Sequence, residues 1–320
     1  MTITSGKKKQ KIDRLAELAA RDDERGVSLW QEAFRRLRRN PAAIVGAVIL
    51  ALFVVVAVVG PFLVPYSPTD TIGIRDGLIK PGVIPGIDGD HWLGLDHQGR
   101  DEFSRLVVGA RQTLLVGVVS TLIGLAVGAL IGGVAGAAAG LGGRWGRWID
   151  STLMRFIDMM LAMPSLLLAV SIAALLGASL TTVMIAVGVV SVPVFARLLR
   201  GSMISQANSD YVLAATSLGV RKPKIALTHV VPNSLAPVIV QATLTLATAI
   251  IEAAALSFLG LGNPDTSVPE WGVMLADAQQ YLDIRPGLAV YPALGIIITA
   301  LGFTLLGEAM REALDPKLRK

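Results

Sequence analysis

Residues 42–64 read AAIVGAVILALFVVVAVVGPFLV, 23 residues without a charge, closed by Pro65. An α-helix needs about 20 mostly apolar residues to cross the hydrocarbon core of a bilayer. Inside that core each backbone N–H and C=O must be paired within the chain, which a helix achieves by itself. Arg35, Arg36, Arg38 and Arg39 stand directly before the run. The stretch reads as a membrane-crossing helix with a basic flank.

The composition agrees with that reading. Of 320 residues 53% are apolar, 33 more are Gly, and only 17% are charged, against about 25% in soluble domains. Mean hydropathy is +0.61. A soluble fold could not coat so much apolar surface with so few charges. Residues 113–143 are uncharged, and the 38 residues between Asp158 and Arg197 contain no charge either. The latter run is too long for one crossing, and Gly177-Ala-Ser179 divides it. Residues 234–262 hold one charge, Glu252, and residues 286–307 hold none. The chain is therefore expected to be an all-α polytopic membrane protein. Its six crossings fall at about 42–64, 113–140, 152–176, 180–199, 234–261 and 287–307. Residues 1–40 form a basic tail ahead of a transmembrane domain spanning 41–320. Pro164 and Pro193 are expected to bend the third and fourth helices, because each removes a backbone bond.

Orientation follows from Lys and Arg, which collect on cytoplasmic loops. With the N-terminus inside, 23 of the 29 fall on inner segments. Both termini are thus expected in the cytoplasm, with residues 201–232 as the longest inner loop after the tail. The tail carries 11 Lys/Arg and 6 Asp/Glu, which accounts for the net charge of +5. The basic character is therefore not a nucleic-acid surface. The tail is also too long and polar to open a secretory signal.

Several chemistries are excluded. The chain has no Cys and three His, so thiolate sites and Cys nucleophiles are ruled out. It lacks the G-x-x-x-x-G-K-[ST] phosphate loop, H-E-x-x-H and G-x-S-x-G. His91 and His97, in a Gly-rich outer loop beside Asp90 and Asp96, read as a solvated loop before a metal site. Asp158 and Glu252 are the acids within crossings. A carboxylate facing lipid is costly, so Glu252 is expected to face protein or a cavity beside a hydrogen-bond donor. Gly124, Gly128, Gly132, Gly136 and Gly140 recur every four residues. Such a bare stripe lets another backbone approach closely, or it lines a path for a bulky solute. The outer segment 66–112 is irregular up to Gly99. Phe103, Leu106, Val107 and Ala110 then share a face, which predicts a short surface helix over 101–111.

The inner loop reads Asn208-Ser-Asp-Tyr-Val-Leu-Ala-Ala-Thr-Ser-Leu-Gly219, followed by Val-Arg-Lys-Pro-Lys-Ile-Ala-Leu-Thr-His229-Val-Val-Pro232. Ser209 suits an N-cap, and Asp210 suits the first turn. Tyr211, Ala214, Ala215 and Leu218 share one face. Gly219 stands where a left-handed helix end needs it. Pro223 opens a second short helix, and Pro232 is expected to end it. A small, Ala-rich face on such an element can dock into a groove on another protein.

This loop resembles the EAA motif of bacterial ABC importer permeases. Ala214, Ala215, Gly219 and Pro232 match at the right spacing, while Leu213 replaces the motif's leading Glu. His229 and Asn233 are similar to the peptide and nickel branch. Glu252-Ala-Ala is a decoy, with Phe258 in the Gly slot. Arg35-Arg-Leu-Arg-Arg-Asn-Pro41, His91-Trp-Leu-Gly94, Gly99-Arg-Asp101, Asp158 with Pro164-Ser-Leu-Leu, and EAAALSFLGLG at 252–262 resemble the C-type permease of dipeptide and oligopeptide importers. The resemblance implies the type I importer permease fold and a B-type permease partner. It also implies two ATPase subunits inside, which carry ATP and Mg, and a peptide-binding protein outside. It implies no cofactor and no enzymatic step in this chain. Nickel, haem or another solute remains open within the same family. An ion-coupled carrier would need inverted halves and paired intramembrane charges, which are not evident.

Overall fold

The computed structural model describes residues 29–80 and 83–314. Most of the expected tail, residues 1–28, lies outside the described residues. The elements are α1 (Leu29–Leu37), α2 (Pro41–Leu63), α3 (Glu102–Leu141), α4 (Gly143–Leu161) and α5 (Ser165–Leu176), then α6 (Leu180–Ala207) and α7 (Asp210–Ser217). They continue with α8 (Lys222–Ile225), a π turn (Ala226–Val230), α9 (Val231–Phe258), α10 (Trp271–Ala278) and α11 (Gly287–Leu314). Among the described residues five uninterrupted helical stretches are long and apolar enough to cross a membrane, and the count is six if α4 and α5, bent by 91° at their junction, form one span. Pro164 explains the bend, because it lacks an N–H and pushes Met163 away from helical backbone. Pro193, by contrast, sits inside the continuous α6.

Two expectations on helix boundaries are corrected. The surface helix over 101–111 is no separate element. It is the start of α3, a helix of 40 residues, about 60 Å long at 1.5 Å per residue. Gln112 joins the two parts without a Gly or Pro to break them. Pro232 ends no helix either. The π turn carries the chain past it, with Val231 N–H reaching the Ala226 carbonyl, and Pro232 lies in the first turn of α9. A wider turn tolerates a residue that cannot donate.

The glycine stripe of α3 packs against α6. A Cβ on Gly128 would stand 2.6 Å from the Val192 carbonyl oxygen, and one on Gly140 would stand 2.8 Å from Ala207 Cβ. Close helix packing is the role the structure gives it. Likewise Gly46 of α2 lies on the backbone of α11 at Gly302. Asn40 Nδ2 donates to Glu312 Oε2 at 3.1 Å. Both ends of the described chain therefore sit at one end of the bundle, with the C-termini of α3 and α6. The starts of α3 and α11 and the end of α9 define the other end.

Candidate coupling site

At the Asn40 end, α6 hands over to the EAA-like element. Ser209 does not cap α7 with its side chain; its hydroxyl donates to the Gln206 carbonyl at 2.5 Å, a correction to the expected N-cap. The Tyr211 hydroxyl donates to Gln206 Oε1 at 2.9 Å. Its ring meets His229 edge-on, with centroids 6.5 Å apart. The end of α6, α7 and the π turn are thereby tied together through Gln206, Tyr211 and His229.

Gly219 has φ +75°. Its N–H reaches the Thr216 carbonyl, and Val220 N–H reaches that of Ala215. This is the paired bonding that ends a helix on a left-handed residue. The backbone then turns, and Pro223 falls in the first turn of α8. Asn233 Nδ2 donates to the His229 carbonyl at 2.9 Å, which stitches the π turn to α9 around Pro232.

The predicted face of α7 divides. Tyr211, Ala214 and Leu218 stay exposed, whereas Ala215 is half-buried. Ala215 packs against a cluster of Phe195, Leu199, Met203, Ile225, Val230 and Val238. Val212, which the sequence reading passed over, is buried in that cluster and anchors α7 to the bundle. Its signal was present, an apolar residue one turn before Ala215 and Thr216, but either side of so short a helix can face inward. Leu213, Leu218 and Leu227 are 67%, 84% and 71% exposed. That is a large apolar surface at the tip of a membrane protein, and such patches mark protein contacts.

The element is held from behind by ionic rungs between α4 and α6. Arg200 grips Asp150 with two bonds, Nε to Oδ1 at 2.5 Å and Nη2 to Oδ2 at 2.7 Å. Arg197 meets Asp158 through Nη2 alone, at 2.5 Å. Glu252 is half-buried near the far end of α9, away from the EAA-like element.

At the opposite end the segment 66–101 and the segment 259–286 form an ionic clasp. Arg105 is 1% exposed. Its Nη1 donates to the Pro68 carbonyl at 3.1 Å, and its Nη2 to that of Thr266 at 3.0 Å. Arg100 pairs with Asp96 at 2.6 Å and donates to Thr266 at 2.8 Å. His91 Nδ1 is engaged by Asp101 Oδ1 at 2.9 Å, and the His97 ring stacks on Tyr281. These histidines are partners within a buried network, not loop groups in solvent. Burial pushes His97 below its ordinary range and the Asp277 and Glu270 carboxyls above theirs.

The element is a short helix anchored by Val212, turned at Gly219, and continuous through a π turn with a spanning helix. Residues 124–320 match the family described as binding-protein-dependent transport system inner membrane component. The chain belongs to that family. It is a multi-pass permease of the inner membrane. Residues 28–81 match the N-terminal transmembrane domain of oligopeptide transport permease C, so the permease also carries that additional crossing. It is 42% identical to the dipeptide transport system permease protein DppC of Alkalihalophilus pseudofirmus, over 93% of each chain. It is 41% identical to the glutathione transport system permease protein GsiD of Shigella flexneri, over 91% of each. An inward-facing methionine ABC transporter, MetNI, shares its fold with a TM-score of 0.52 and 19% identity. That likeness covers 66% of this permease and 96% of the other chain.

Proposed function

We propose that this permease is one half of an ATP-driven importer for di- or oligopeptides. The observation that carries the reading is the pair of relatives above 40% identity over more than nine-tenths of the chain. Both are named for peptides, one for dipeptides and one for glutathione. A B-type permease completes the pathway, two ATPase subunits bind ATP and Mg on the inner side, and an extracytoplasmic binding protein delivers the peptide. The chain itself holds no cofactor and performs no covalent step.

The mechanism is alternating access. Closure of the ATPase pair moves α7, and Gly219 and the π turn pass that motion to α9. The spanning helices then tilt so that the cavity opens outward. Tyr211, Ala214, Leu218 and His229 line the face that meets the ATPase. Ala215, Gly219 and Pro232 shape the hinge behind it. Both termini lie in the cytoplasm with α7, and the ionic clasp faces outward.

Uptake of labelled dialanine by reconstituted transporter with its binding protein tests the reading. ATP-dependent accumulation is expected; nickel or haem accumulation without peptide uptake would replace the solute. Topology is tested separately, because the chain has no Cys. Single-Cys variants at Asp90 and Ala178, both exposed, should react with an impermeant reagent in intact cells, and one at Lys222 should not.

A further inference from the structure

The two rungs between α4 and α6 are not equivalent. The Asp150–Arg200 rung is mostly sheltered and bidentate, with both carboxylate oxygens and the Nε–Nη2 edge of the guanidinium used. In the Asp158–Arg197 rung the side chains are 59% and 57% exposed, and one contact joins them. An Arg side chain presents five N–H donors in a planar fork. The Nε and Nη1 groups of Arg197 have no partner among the described residues.

Arg197 borders a cavity of about 610 Å³ between the end of α4, α6 and α9. Its walls include Pro193, Val194, Leu198 and Pro237, with Ser202 and Gln241 as polar groups. Cavities that hold small organic ligands run to about 300–1,000 Å³ and combine apolar walls with a few convergent polar groups. The cavity begins beside Gln206, the residue that Tyr211 grips. A charge with open donors inside a spanning helix is expensive against lipid. Its exposed face is therefore suited to a water-filled path.

We propose that Arg197 receives the C-terminal carboxylate of the translocating peptide in this cavity. The inference rests on the peptide reading above. A guanidinium fork matches a carboxylate with two parallel bonds, and Asp158 already shows a carboxylate on one edge of it. Asp158 holds Arg197 in place between cargoes and leaves the other edge free. The contact is a way-station: an ion pair at the solvent-exposed Arg197 is weaker than the sheltered one beside it and releases more readily.

The test uses the assembled transporter in proteoliposomes, with binding protein saturated by radiolabelled dialanine. Arg197→Gln should lower the maximal uptake rate about tenfold or more, with the ATPase subunits still co-purifying. Arg197→Lys should recover part of the loss, since it keeps a cation without the fork. Asp158→Asn should cost no more than about threefold, because Arg197 stays charged. Leu198→p-benzoylphenylalanine should cross-link dialanine, and adding Arg197→Gln should abolish that product. Four results would overturn the proposal: wild-type rates in Arg197→Gln, an equal fall in Asp158→Asn, failure of Arg197→Gln and Arg197→Lys alike to assemble, or cross-linking at 198 to the partner permease in place of peptide. A wild-type transporter that carries no dialanine would sink the peptide reading itself, and this inference with it.

Discussion

The two ends of the bundle solve opposite problems. At the clasp end, Asp96, Arg100, Asp101 and Arg105 are buried, and their bonds run to groups of the same chain. At the EAA-like end, Leu213, Leu218 and Leu227 lie open, while Val212, Ile225 and Val230 are buried and Ala215 half-buried in the cluster behind them. A buried charge is tolerable only when paired and hydrogen-bonded, and these four meet that condition within the chain, whereas Glu102 Oε1 and Glu270 Oε2 beside them have no partner among the described residues. Exposed apolar surface is unfavourable in water, and a partner that covers it gains that free energy. The EAA-like end is therefore built for a contact that this chain does not supply.

The largest expected effect breaks the clasp. Arg105→Ala strips a buried cation from Asp96 and from the carbonyls of Pro68 and Thr266. Removing one member of a buried pair costs about 3–5 kcal/mol. Thermal unfolding in detergent and membrane abundance should both drop. If neither moves, the clasp is not what joins segments 66–101 and 259–286.

Next comes the coupling face. Ala214→Asp places a carboxylate on the exposed side of α7 and should leave insertion and folding intact. Capture of the ATPase subunits should fall about tenfold or more, which corresponds to 1.4 kcal/mol. Ala215→Asp should lower both capture and folding, because that residue is half inside the cluster. Equal behaviour of the two variants would erase the distinction between anchor and face. Gly219→Val faces a left-handed penalty of about 1–2 kcal/mol, with open space around the site. It should insert normally and lower transport per ATP hydrolysed.

Two smaller effects sharpen the contrast. Glu252→Gln keeps the side chain's shape and hydrogen-bonding capacity and should hold uptake within about threefold; a greater loss would assign the ionised form a role in transport. Glu270 accepts from Ser257 at 2.7 Å, and burial raises its carboxyl above the ordinary range. Folding therefore favours its protonated form. The associated stability is complete below the unfolded value, about 4.3, and is lost as pH rises through the raised folded value. Glu270→Gln should flatten the fall of the thermal midpoint between pH 5 and pH 8 by about 2 °C.

Much of this permease was legible in the chain. Uncharged runs long enough to span a bilayer have one stable backbone solution, so the crossings could be placed without coordinates. Gly219 was legible for a similar reason: its place after an eight-residue helical pattern asked for left-handed backbone, and φ +75° is found. The kink at Pro164 followed from its missing N–H. These features depend on local chemistry and on the solvent, both of which a sequence carries.

What the sequence could not decide depends on which groups meet across the fold. Val212 rather than Tyr211 anchors α7, because α6 and α9 place their cluster on that side. His91 and His97 lie in a Gly-rich stretch that reads as solvated, yet segment 259–286 closes over it. Asp150 and Arg200 lie 50 residues apart, and nothing local pairs them. Their partner choice, like the free edge of Arg197, is set by the angle at which α4 crosses α6. Length and hydropathy located the apolar runs that can cross a bilayer; packing decided where the helices begin and end, which charges are sealed and which stay open.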